Sequence, residues 1–180
     1  MRSVWIAVAV VALVLAGPAA AQPAKPLAIP GQPIAKDVPG AKELPDPSQT
    51  YKVVFMAGKA AATPDAINPT LTEVSQFVNT LDAYGVPAAR RQIAVVIHQG
   101  ATPMILNAEA YRAKYGHDNP DLALVKAMTK AGVKFYICGQ AVLANKIDPK
   151  TITPEVELTL WAMTTLVNLE LRGYVPVGGG

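Results

Sequence analysis

Two hydrophobic periods alternate along the chain. Continuous apolar runs rich in β-branched and aromatic residues occur at Tyr51–Met56, Ile93–Ile97 and Val133–Ile137, the pattern of strands covered on both faces. Between them, Leu71, Val74, Val78 and Leu81, then Leu122, Val125 and Met128, recur at helical spacing. A cap residue followed by proline marks three helix starts, Asn68-Pro69, Thr102-Pro103 and Asn119-Pro120. They predict helices from Pro69 to a stop at Gly85, from Pro103 to Tyr115, and from Pro120 to Ala131. After Cys138 a short helix should run to Asn145, and a turn at Asp148-Pro149 should lead to an alternating strand over Val156–Leu160. A helix over Ala162–Arg172 and an edge strand at Tyr174–Val177, where Pro176 is tolerated, complete the chain. Strands alternating with helices predict an α/β fold, a three-layer α/β/α arrangement around a mostly parallel five-stranded sheet.

The first residues follow another pattern. Arg2 precedes an unbroken apolar run from Val4 to Ala16, then Gly17-Pro18 and the small residues Ala19-Ala20-Ala21. This reads as a secretory signal peptide over residues 1–21, cleaved after Ala21, and so as export to the periplasm or beyond. A retained membrane anchor fits less well, because a spanning helix needs about 20 apolar residues. Residues 22–49 carry seven prolines and predict an extended or disordered linker; a tether or binding strap is its functional reading. The folded domain is expected over residues 50–177.

Composition changes this picture little. The net charge of +3 and the absence of any basic run exclude a nucleic-acid surface, and Arg90-Arg91 reads as a pair preceding a strand. The half-apolar composition can supply a core, and the single cysteine leaves no internal disulfide, so stability must come from packing.

Candidate chemistry gathers where the strands end. In a parallel sheet Gly58, His98, Cys138 and Trp161, each just past a strand, would line one edge, where open α/β sheets place ligands. Cys138 is the one thiol and precedes a helix start, whose dipole favours a thiolate; otherwise it is a small buried apolar residue. His98 is its candidate base or thiolate partner, and Gly58, Gly139 and Gln140 are candidate ligand contacts. Asn107 is a weaker one. His117, between Gly116 and Asp118, reads as a solvated turn residue, and His98, His117 and Cys138 lack the local spacing of a metal site. The Gly58-Lys59 loop lacks the glycine spacing of a nucleotide site, and there is no nucleophile elbow or carboxylate pair. No cofactor or metal is expected, and a carrier or binding protein is favoured over an enzyme that turns over.

The strand Tyr51–Phe55, the tip Ile97-His98-Gln99-Gly100-Ala101-Thr102, the stretch from Gly132 to Gln140 and the closing Glu170-Leu171-Arg172-Gly173-Tyr174 together resemble the DsrE/DsrF-like family. The resemblance covers residues 51–177. It implies a five-stranded sheet and homo-oligomers, trimers or hexamers. For the sulfur-relay members it also implies a cysteine that carries persulfide sulfur between a donor and an acceptor protein; Cys138 occupies that position. The signal peptide and the lack of a second cysteine depart from those cytoplasmic members. Two functions follow as expectations: an exported thiol-dependent sulfur carrier, or a non-catalytic oligomeric small-ligand-binding or scaffold protein with a structural cysteine.

Overall fold

A computed structural model of the protein describes residues 26–178; the predicted signal peptide lies outside them. The strands are β1 (Tyr51–Ala57), β2 (Arg91–Ile97), β3 (Lys134–Cys138), β4 (Val156–Thr159) and β5 (Val175–Val177). They form one sheet in the order β4-β3-β2-β1-β5, and every pairing is parallel. The helices are α1 (Pro69–Ala83), α2 (Ala108–Tyr115), α3 (Leu122–Lys130), α4 (Gly139–Ala144) and α5 (Ala162–Leu171). The expected α/β architecture is thus present, with a sheet that is parallel throughout.

Alternation along the strands divides the core. Val53, Phe55, Ile93, Val95, Ile97, Phe135 and Ile137 point toward α1 and α3 and join the main apolar cluster. Their sequence neighbours Val54, Ala94, Val96 and Cys138 face the other way, onto Ala141, Ala162 and Leu169. That second layer is built from smaller side chains, and this lets the loop before α5 approach the sheet closely. The predicted thiol lies in this thinner layer.

Helix α1 begins as its sequence predicts: the Asn68 side chain accepts the Thr70 N–H and Pro69 occupies the first turn. The next helix does not begin at Pro103. Pro103 lies inside a 3-10 segment, Gln99–Ile105, and the Thr102 hydroxyl donates back to the Gln99 carbonyl instead of capping. Residues 105–107 are held extended against residues 151–153 by Thr153 N–H to Ile105 O (2.8 Å) and Asn107 N–H to Thr151 O (2.7 Å). A continuous helix is impossible through that pairing, so α2 starts afterwards, capped by Asn107. Asn107 is therefore a capping residue. Helix α3 likewise starts at Leu122, because Asn119 Oδ1 takes the Asp121 N–H in a turn of its own.

The described part of the proline-rich segment, from residue 26, has no helix or strand. It is interrupted by turns closed by Gln32 N–H to Ile29 O, Ala41 N–H to Val38 O and Gln49 N–H to Asp46 O, and part of it is tied to the domain. Ile29 is fully buried in the main core, and its N–H and carbonyl bond the Asn79 side chain of α1. Ala28 N–H reaches Asp82 Oδ2 at 3.1 Å. Asp82 also meets Arg91 Nη1 at 3.0 Å, with both side chains nearly buried. Arg91, read from sequence as preceding a strand, is the first residue of β2 and turns inward.

Candidate functional site

Register brings the predicted residues together. Ala57 pairs with Ile97 and Ile97 with Ile137, so Gly58, His98 and Cys138 follow one another across β1, β2 and β3. Adjacent strands lie about 4.8 Å apart. His98 and Cys138 line one pocket of about 370 Å³ together with Gln99, Gln140, Trp161 and Met163. Cys138 is only 4% exposed and forms the floor of this pocket, while Gln99, Gln140, Trp161 and Met163 are exposed at its rim.

Among the described residues one polar group meets the sulfur. The backbone N–H of Ala162, the first residue of α5, donates to Cys138 Sγ at 3.2 Å. From sequence the helix expected to polarise the thiol was α4, which follows it directly. The structure shows instead that α5, 24 residues further on, presents its first amide to the sulfur. An N–H at a helix start favours the anionic form of a thiol.

Sequence reasoning missed Ala162 as a participant because a backbone amide has no side-chain signature. Its position depends on β4 pairing beside β3 at Cys138↔Thr159, which returns the chain to the thiol. Trp161, Gln140 and Cys138 line this pocket as expected of one edge, with Met56, Ala144, Asn145 and Met163 as additional lining residues, whereas Gly58 and Gly139, expected as ligand contacts, line other cavities.

His98 is half-buried, and burial holds its imidazole below the ordinary histidine range, so it is neutral near pH 7. The neutral ring has an unprotonated nitrogen that can accept a proton, and the burial that keeps it neutral also makes it a weaker base. A neutral ring cannot act as a standing positive charge, and the Ala162 N–H is the polar group that meets the sulfur. Gly58 makes room for the ring: a Cβ there would lie 2.8 Å from His98 Cε1. The backbone of the next residue, Gln99, is left-handed at φ 47°, an uncommon conformation for a non-glycine residue and one found preferentially at functional sites.

Gly139 and Gln140 serve the loop that carries Ala162. Gln140 Nε2 donates to the Leu160 carbonyl at 3.2 Å. A Cβ on Gly139 would come within 2.5 Å of the Thr159 carbonyl oxygen and 3.1 Å of that of Leu160, both backbone atoms. Alanine in a helical first turn normally stabilises, so the sign of Gly139→Ala is diagnostic. We expect a loss of about 1–3 kcal/mol from the steric conflict, measured by urea unfolding. A gain would mean the loop yields freely and the close approach is not enforced.

His117 lies apart from the pocket. Its ring packs edge-on to Tyr111 with centroids 5.7 Å apart, and its Nδ1 lies 2.9 Å from the Asp118 carbonyl oxygen. Among the described residues no group of three or more histidine, cysteine, aspartate or glutamate side chains is arranged to hold a metal ion.

These features define an α/β protein whose one thiol sits at a strand tip under a helix-start amide, beside a histidine. The chain belongs to the DsrE/DsrF-like family, whose model matches residues 49–175. That membership places it in a family related to sulfur relay. A solved structure of a protein of unknown function from Methanobacterium thermoautotrophicum is similar, with a TM-score of 0.51 and 16% identity. The match covers 71% of this chain and 97% of that one, and it bears on the fold alone. No curated protein matches the chain.

Proposed function

We propose that the protein is an exported, thiol-dependent sulfur carrier in which Cys138 accepts sulfane sulfur and His98 takes the thiol proton. The observation that carries this reading is the Ala162 N–H on Sγ in a pocket shared with His98. The Cys138 proton passes to the His98 imidazole. The thiolate then attacks the terminal sulfur of a polysulfide, a new S–S bond forms at Sγ, and the shortened polysulfide leaves with the electron pair of the broken bond. Transfer to an acceptor thiolate reverses these steps. With one cysteine in the chain, no internal thiol can resolve the persulfide, so an acceptor must supply its own.

The buried sulfur favours the second reading, a small-ligand-binding or scaffold protein with a structural cysteine. One experiment separates the two. Wild type treated with polysulfide should gain one sulfur atom by intact mass, and Cys138→Ser should gain none while keeping its fold and native mass. An unmodified wild type would sink the carrier reading and leave the second.

The same samples address export and assembly, which belong to the proposal. A mature chain beginning at Gln22 is expected, as is a native mass above that of a monomer. A second copy of the chain is the proposed cover for the apolar outer face of α5, where Met163, Val167 and Leu171 are exposed. A monomeric native mass would remove assembly from the proposal without touching the thiol chemistry.

A further inference from the structure

A second cavity opens on the other side of the β2 tip. It encloses about 140 Å³ between the loop after β1, the 3-10 segment after β2, and the start of α3. Its floor holds a carboxylate: Asp121 is 3% exposed, and its Oδ1 accepts the Asn68 backbone N–H at 2.8 Å. Among the described residues nothing donates to Oδ2. Asp121 occupies the cap position of α3, yet its side chain makes no cap bond there. Burial pushes its carboxyl up to about 6, with the Asn68 N–H acting the other way, and no cation contributes.

The walls narrow the ligand class. Tyr111 and Tyr115 line the cavity with ring centroids 4.5 Å apart, and Met104 lines it as well. Aromatic rings beside a carboxylate suit an organic cation, and the Tyr115 ring already has Lys114 Nζ 5.4 Å from its centroid. A divalent metal would need several hard oxygen ligands, and the described residues offer no cluster of acidic or histidine ligands around Asp121. The volume admits only a few heavy atoms, well short of the several hundred Å³ of a drug-sized site.

We propose that this cavity binds a small primary ammonium compound, its –NH₃⁺ donating to Asp121 Oδ2 and its short alkyl body lying against Tyr111, Tyr115 and Met104. Cys138 lines the other pocket and not this one, so the site is independent of sulfur loading. The cation supplies the countercharge that the protein withholds from Asp121.

Propylammonium chloride is the probe, with 1-propanol and potassium chloride as controls, titrated into the full mature chain and followed by amide chemical shifts. Wild type should show saturable shifts around Asn68, Tyr111 and Asp121 with propylammonium and none with either control. Asp121→Asn keeps the acceptor for the Asn68 N–H and should weaken binding at least tenfold. Ala62→Phe places bulk at the exposed rim, leaves the carboxylate in place, and should weaken binding equally. The proposal is overturned if wild type shows no saturable binding, if propanol binds as well as propylammonium, or if either variant keeps wild-type affinity.

Discussion

Asp82→Ala is expected to lower the unfolding free energy by about 3–5 kcal/mol, since breaking a buried ion pair leaves its partner charged in an apolar place. The Asp82 and Arg91 side chains are 5% and 6% exposed. Arg91 Nη1 lies 3.0 Å from Asp82 Oδ1, yet neither Nη1 nor Nε meets an acceptor in good hydrogen-bond alignment. Charge compensation is thus the greater part of what Asp82 gives Arg91, and directed hydrogen bonding the lesser. Losing Asp82 also releases the Ala28 N–H that helps hold Ile29 in the core. Paired replacement with Asp82→Leu and Arg91→Met should recover much of the loss, because removing both charges removes the desolvation penalty. Urea unfolding of the single and double variants is the measurement. A single-variant loss below about 1 kcal/mol would show that water reaches the guanidinium and the pair is in effect a surface one. The pair lies at the sheet edge opposite Cys138, so sulfur loading of the folded fraction should be unchanged.

The same pair shows where sequence reasoning stopped. Continuous apolar runs, one alternating segment and helical spacing report which residues are buried, and they located all five strands and the turn at each tip. Parallel pairing then followed from alternation and put His98 and Cys138 at one edge, but their adjacency needs β2 to pair with β3, which no local pattern fixes. Contacts between distant segments left no such trace. Nothing local in Arg90-Arg91 distinguishes the buried arginine from the exposed one. Ile29 lies in a segment whose prolines forbid a ladder, and that composition conceals its burial against Asn79. Thr102-Pro103 carries a proper start signal that was overridden by the pairing of residues 105–107 with 151–153. The Ala162 amide reaches Cys138 because β4 lies beside β3, a matter of strand order. Local signals placed the thiol and the histidine; topology supplied the amide on the sulfur.

Asp121→Asn should stabilise the unliganded protein at neutral pH and do nothing for it in acid. Burial raises the Asp121 carboxyl from its ordinary 3.8 to about 6. The folded chain therefore keeps this proton to a higher pH than the unfolded chain. Across the interval between those two values the native state binds more protons, so its stability falls as pH rises, and the penalty is complete above about 6. The full difference corresponds to about 3 kcal/mol. An amide in the same place avoids the charge, and its own desolvation resembles that of the protonated carboxyl, so the gain is about 2–3 kcal/mol above pH 6 and vanishes in acid. Urea unfolding of both proteins near pH 4 and near pH 7.5 reads this directly. His98 and the exposed carboxylates titrate alike in both proteins and cancel in the difference. A gain of equal size at both pH values would mean that the carboxylate is not what costs stability. If the gain appears only at the higher pH, the native chain carries a buried charge that weakens it when empty. A bound ammonium group would neutralise that charge, so ligand should stabilise wild type above pH 6 and leave the asparagine variant unmoved.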